Sequence, residues 1–379
     1  MTAYSFMTAT EILFGRGTAQ AVIARACACA DRILVVHGAD TGRAAWLIEA
    51  LHKAGPDVAT FSCPGEPDLD LILAGLALAR SHQADLVISL GGGAAIDTGK
   101  AIAALAPAQR PPLDHLEVVG KGLALDAAPL PFYAIPTTAG TGAEVTRNAV
   151  IGVPAHRRKV SLRDPRMVPD LAVVDPALTD DTPRSVTLAS GLDAITQVIE
   201  PYVSSKANPL TDALCRAAIP MGLSALRALM DGENRDARDH MAQVSLCGGL
   251  ALANAGLGAV HGLAGPIGGM APAPHGAVCG TLLPQVLTAN TDRATGPAAD
   301  RLADVAKWIA NAYGVLLNDA VDTLGTWAQD HGLPGLEQMG VLHKDLGTIA
   351  GAATSSSSMK GNPVPLSKQD LTDILRAAY

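Results

Sequence analysis

Asp85-Leu86-Val87-Ile88-Ser89-Leu90 runs without a break into Gly91-Gly92-Gly93, and the glycines open onto a helix-forming stretch near residues 94–106. An apolar run that does not alternate has no face to give to water, so it predicts a strand covered on both sides. Strands of that kind belong to parallel sheets, whose crossovers are helices lying on the two faces. Sibling runs at Arg32–Val36, Val58–Phe61 and Pro131–Ile135, with helical patterns near residues 42–54 and 69–82, predict the same architecture. The pattern changes near residue 181: Thr182-Pro183 is a helix-start signal, and the Ala/Leu-rich stretches 185–203, 207–230, 237–256, 295–314 and 316–331 read as helices. The expected fold is an α/β N-terminal domain with a parallel sheet, residues 1–180, followed by an all-helical C-terminal domain, residues 181–379.

Charge excludes some partners. The 28 Lys and Arg stand against 36 Asp and Glu, a net charge of −8, with no basic run to follow a phosphate backbone, so no nucleic acid is expected. Residues 244–275 lack any Asp, Glu, Lys or Arg, yet Pro, Gly and two His interrupt them, so a buried helix followed by a loop is expected and no membrane span. No basic segment precedes an apolar one near the start, and six Cys at 27, 29, 63, 215, 247 and 279 show no CxxC pairing. Reduced thiols in the cytoplasm are the expectation.

Three constellations carry chemistry. The glycine turn lets backbone N–H groups approach an oxyanion at a helix N-terminus, which suits a pyrophosphate, although a plain tight turn has the same sequence. It is not the GxGxxG fingerprint. A second polar loop, Pro136-Thr137-Thr138-Ala139-Gly140-Thr141-Gly142, follows the Pro131–Ile135 strand where α/β sheets bind ligands. The third is Asp193 and Gln197, four apart and so on one helical face, with His261 and His275 in the charge-free stretch to complete an ion site.

Taken in order, GGGAAIDTGK, IPTTAGTGAEVT, VVDP…SGLDAITQVIE, AVHGLAGPIGG and APHGAVCGTLLPQVL resemble the iron-containing (group III) alcohol dehydrogenase family, and more distantly maleylacetate reductase and glycerol dehydrogenase. The resemblance implies a dinucleotide-binding N-terminal domain and hydride transfer between NAD or NADP and a small alcohol, aldehyde or ketone in an interdomain cleft, in a homodimer. It implies Fe2+ or Zn2+ on Asp193, Gln197, His261 and His275, the two histidines being catalytic as well. It implies cofactor contacts at Gly38, Gly91, Gly92, Gly93, Asp97, Thr137, Thr138, Thr141, Lys159 and Leu178. Two departures stand out: the family carries His at the positions of Gln197 and Gly265. An amide oxygen is a weaker ligand than imidazole, so the ion site is expected to be weakened. His37-Gly38 also lies where relatives place an acidic residue that holds the adenosine ribose, with Asp40 and Arg43 nearby, which leaves NAD and NADP both open. Arg147 and Ala149 point to room and an anionic group on the substrate. The alternatives are a metal-independent reductase of the maleylacetate type, a dehydroquinate-synthase-like lyase, and a nucleotide-binding protein without catalysis.

Overall fold

The computed structural model describes residues 3–379. Contacts divide the described residues into two compact units, one made of Thr8–Thr138 with Gly142–Thr179, the other of residues 3–7, Ala139–Thr141 and Asp180–Tyr379. Two short pieces of the N-terminal half thus pack with the helices.

The first unit contains strands β1 (Glu11–Phe14), β2 (Arg32–His37), β3 (Asp57–Ser62), β4 (Leu86–Gly91), β5 (Phe132–Pro136), β6 (Asn148–Val153), β7 (Arg158–Arg163) and β8 (Leu171–Val174). Six form one parallel sheet in the order β1-β8-β5-β4-β2-β3, and β6 pairs antiparallel with β7 as a separate hairpin. Helices α1 (Ala21–Cys27), α2 (Ala45–Ala54), α3 (Leu69–Ser81), α4 (Gly93–Leu105) and α5 (Pro112–His115) complete it. Successive residues of β2 serve opposite faces. Ile33 and Val35 join Leu47 and Leu51 of α2 in one apolar layer, whereas Leu34 and Val36 join Ile72 of α3 and Ile96 of α4 in the other. That two-sided burial is what the unbroken apolar runs required. The chain leaves β2 toward β3 on one side and resumes at β4 on the other, so the sheet order reverses between β2 and β4, the place where open α/β sheets bind ligands at their carboxyl ends.

The second unit is helical: α6 (Arg184–Val203), α7 (Pro209–Asp231), α8 (Arg235–Ala255), α9 (Ala259–Met270), α10 (His275–Thr291), α11 (Pro297–Tyr313), α12 (Ala320–Asp330), α13 (Leu346–Ala353) and α14 (Lys368–Ala377). From Gly191 to Val203 every residue of α6 is buried, so this helix is the axis around which the others pack. Asn208 caps α7 in a reciprocal box with Thr211, and the Asn234 side chain accepts from Ala237 N to cap α8. The stretch 244–275 departs from the expected helix and loop: α8 stops at Ala255, Gly256 adopts φ 70°, and α9 follows, so the sequence holds two helices with a sharp bend. Among the described residues α7 alone is by itself long and apolar enough to cross a membrane, and half of that apolar stretch is buried within the unit.

Candidate metal and dinucleotide sites

Asp193, Gln197 and Glu200 stand at i, i+4 and i+7 of α6 and are all buried; Asp193 and Glu200 meet α9, and Asp193 meets the start of α10 as well. α10 comes very close to α6 because it presents glycines: a Cβ at Gly276 would lie 2.5 Å from the Ala189 carbonyl oxygen, and one at Gly280 would lie 2.7 Å from the Leu192 side chain. His275 opens α10 and Cys279 follows one turn later, so the same glycine seam delivers both side chains to Asp193. His261 enters from the first turn of α9. One ligand atom from each of Asp193, His261, His275 and Cys279 lies within 4.8 Å of all the others.

Glu200 orients His261. Its Oε2 accepts from His261 Nδ1 at 2.6 Å, and its Oε1 accepts the Val260 N–H at 2.7 Å. The ring therefore keeps its Nδ1 proton on the glutamate side and turns Nε2 toward Asp193 Oδ1, 3.4 Å away. That contact is an ion-pair distance without hydrogen-bond geometry, and Asp193 Oδ1 is buried with no hydrogen-bond partner. A buried carboxylate oxygen left in this state costs free energy unless a cation balances it. The electrostatics agree. The Cys279 sulfur beside it pushes the His275 pKa up to about 9, burial opposing and Asp193 assisting. Burial works against a charged His261, but Cys279 and Glu200 raise its pKa well above the ordinary value. Burial likewise opposes ionisation of Asp193, yet His275 and His261 hold its carboxyl below the ordinary range. Protons on the two rings balance the cluster, and a divalent cation on the same atoms would take their place.

The sheet unit gathers a second set. The register aligns His37 with Leu90 and Gly91 with Pro136, so Gly38, the Gly91–Gly93 turn and Thr137-Thr138 come together at the carboxyl ends of β2, β4 and β5. Thr137 N–H donates to the Gly91 carbonyl at 2.9 Å. Gly92 is the N-cap of α4 and no side chain caps that end, leaving backbone N–H groups of the first turn for a ligand. A Cβ at Gly92 would stand 3.3 Å from Thr138 Oγ1, and one at Gly91 would reach 2.6 Å from the Ala95 methyl, so glycine keeps this cradle open.

Residues 9–176 match the iron-containing alcohol dehydrogenase family, and residues 187–379 match the C-terminal part of the Fe-containing alcohol dehydrogenase family. The chain belongs to the iron-containing alcohol dehydrogenase family. It is 35% identical over 320 residues to lactaldehyde reductase of Escherichia coli (strain K12), covering 83% of this chain and 82% of that protein. It is 34% identical over 338 residues to 1,3-propanediol dehydrogenase of Klebsiella pneumoniae, covering 87% and 85%. Among solved structures, an alcohol dehydrogenase from Oenococcus oeni superposes with a TM-score of 0.87 at 31% identity over 100% of both chains. The chain is accordingly an oxidoreductase that interconverts an alcohol and an aldehyde or ketone by hydride exchange with a nicotinamide dinucleotide, in a family that works with iron.

Other expected positions of this iron-containing alcohol dehydrogenase lie as follows. The Gln197 amide nitrogen donates to the Gly140 carbonyl at 2.7 Å. Asp97 accepts the Val150 N–H at 3.0 Å and so ties α4 to the hairpin. Lys159 pairs with Glu66 at 3.1 Å, Leu178 packs beside the sheet core, and Thr141 belongs to the helical unit. Ala149 corrects the expectation of substrate room: its position on β6 turns it into the apolar core, where it is fully buried. Two residues here are not among the candidates that the sequence offers. The absence of CxxC spacing makes Cys279 an ordinary reduced thiol, although its spacing of four from His275 marks a shared helical face. Glu200 belongs to the α6 motif, and its i+7 relation to Asp193 carries the signal.

Proposed function

We propose that Asp193, His261 and His275 bind a divalent ion, Fe2+ or Zn2+, and that the Gly91–Gly93 turn with Thr137 and Thr138 binds the pyrophosphate of NAD(H) or NADP(H). The buried, unpartnered Asp193 Oδ1 beside two imidazole nitrogens carries this reading, since two nitrogens and one carboxylate oxygen suit either metal. The ion, when bound, supplies Lewis acidity toward the oxygen of an alcohol or carbonyl. The dinucleotide carries the hydride chemistry. This chain's own groups do the rest. Glu200 keeps the proton of His261 on Nδ1 and so fixes which nitrogen faces the substrate side. Asp193 holds negative charge where a developing cationic or acidic centre needs it, and the surrounding α6, α9 and α10 exclude water from it. Small primary alcohols, diols and their aldehydes are the substrate class, in keeping with what the relatives' names say of them. A homodimer and a cytoplasmic compartment belong to the same reading: the family resemblance supports the first, and six free cysteines support the second.

The test is turnover of short aldehydes and diols with NADH and NADPH, before and after chelation, with metal content followed by elemental analysis. Loss of activity on chelation and its return with Fe2+ or Zn2+ is expected. Undiminished turnover in protein shown to be metal-free would sink the metal-assisted reading and reassign the histidines as substrate-orienting groups.

A further inference from the structure

We propose that Cys279 Sγ is the fourth ligand of the metal site in this chain, in the position that the family resemblance gives to Gln197, and that the resulting Asp, His, His, Cys set selects zinc over iron. The proposal rests on the metal-assisted reading above.

The spacing of the donor atoms is the first argument. Cys279 Sγ lies 3.7 Å from His261 Nε2 and 3.7 Å from His275 Nε2. Asp193 Oδ1 lies 3.4 Å from His261 Nε2 and 3.9 Å from His275 Nε2. Bonds of about 2.0–2.3 Å at tetrahedral angles separate neighbouring ligand atoms by about 3.3–3.6 Å. Four of the six donor separations thus already stand close to those of one small tetrahedron, the other two lie within 4.8 Å, and the sulfur can take a corner. The commitment of the amide is the second argument. Only nitrogen can donate to the Gly140 carbonyl, so the 2.7 Å bond fixes Gln197 Nε2 there and gives the residue a structural task apart from the ion. The third is burial. Cys279 is wholly buried, and the polar atoms around it are the two imidazole nitrogens and the Asp193 carboxylate, which is poor company for an inert core thiol. Binding requires the thiolate: the S–H proton leaves to solvent as the metal–sulfur bond forms, with no change of oxidation state. A soft thiolate favours zinc over ferrous iron more than a neutral amide oxygen does.

The experiment uses full-length protein stripped by chelator under reducing conditions and loaded with Co2+ alone. A near-ultraviolet sulfur-to-cobalt charge-transfer band is expected in the wild type and in Gln197→Ala, and its absence is expected in Cys279→Ser while the visible ligand-field bands persist. The Cys215→Ser/Cys247→Ser double variant, which lacks the other thiols of the helical unit, keeps the band, so the assignment survives even if Cys279→Ser does not fold. With equal Zn2+ and Fe2+ under anaerobic conditions, the bound zinc-to-iron ratio falls at least about tenfold in Cys279→Ser. Ligand-field bands without charge transfer in the wild type, or loss of charge transfer in the double variant, overturn the proposal and leave the metal-assisted reading standing. Failure of the wild type to bind cobalt, zinc or iron overturns both.

Discussion

At Gly38 the end of β2 offers no carboxylate, and the nearest one, Asp40, spends Oδ1 on the Gly42 N–H at 2.8 Å to cap the turn Thr41–Arg43. Nothing at that position repels a 2′-phosphate, and Arg43 is exposed close by. NADP(H) is therefore expected to serve at least comparably with NAD(H). The ratio of kcat/KM values decides it, and a preference for NAD(H) above about a hundredfold, roughly 2.7 kcal/mol, would count against the argument. Glu200 makes a different kind of contribution, because it touches His261 and the start of α9 and acts through them. Glu200→Gln keeps an acceptor for Val260 or for the ring but loses the charge that holds the Nδ1 proton. Metal affinity in a buffered-ion titration should fall about 10–100-fold with the fold intact by circular dichroism. Unchanged affinity would remove Glu200 from the site.

α4 is where two element-level arguments meet. Its N-terminal turn is a cradle that a side chain would fill, and Gly92 sits at φ −71°, which any residue adopts. Gly92→Val should consequently fold, since Thr138 needs to give only slightly, yet lose dinucleotide binding in a fluorescence titration. Wild-type affinity in the folded variant would move the cofactor elsewhere. Further along the helix, Lys100 is buried and donates to the Ala143 carbonyl, Thr146 Oγ1 and the Asn148 carbonyl. Burial pushes its pKa down from 10.5 to about 8 against the pull of Asp97 and Glu144. Burial pushes Glu144 up from 4.5 to about 7. Between about pH 8 and 10.5 the unfolded chain binds the extra proton at Lys100, so stability rises with pH there. Between pH 4.5 and about 7 the folded chain holds the extra proton at Glu144, so stability falls as pH rises. Urea midpoints should trace a trough near neutrality. Lys100→Met, though destabilised by about 1–3 kcal/mol through its unpaired acceptors, should lose the alkaline rise. An identical rise in the variant would show that other groups cause it. The strands flanking α4 were legible in the sequence because two-sided burial leaves unbroken apolar runs. β1 and β8, of four residues each, and the β6–β7 hairpin were not, being too short or joined through Pro154-Ala155-His156 and Arg157 at φ 50° rather than by a recognisable two-residue turn. α9 and α10 escaped because Pro266 and Pro284 sit inside them, where neighbouring packing outweighs propensity. Of the site, Asp193 and the histidines were visible by type. Cys279 joins them through the approach of α10 to α6, which spacing alone does not encode.

For the molecule as a whole, the ion's ligands come from three helices of one unit, so binding ties α6, α9 and α10 together. An ion present at a hundred times its dissociation constant adds about 2.7 kcal/mol to folding. Chelation should lower the unfolding midpoint and speed amide exchange in those three helices, while the six-stranded sheet keeps its protection. Equal loss in the sheet would show that the two units share one cooperative unfolding. Ala139–Thr141 has a bearing on the chain as a genetic object. These residues lie between two strands of the sheet in covalent order, yet they pack with the helical unit, where Gly140 accepts from Gln197 and a Cβ at Gly140 would stand 3.0 Å from the Ser190 side chain. A recombinant cut near residue 180 would consequently part the α6 axis from a piece of its own packing. Chimeras that exchange the dinucleotide-binding half between relatives should inherit residues 139–141 from whichever parent donates the helices, so the workable crossover is an interrupted one.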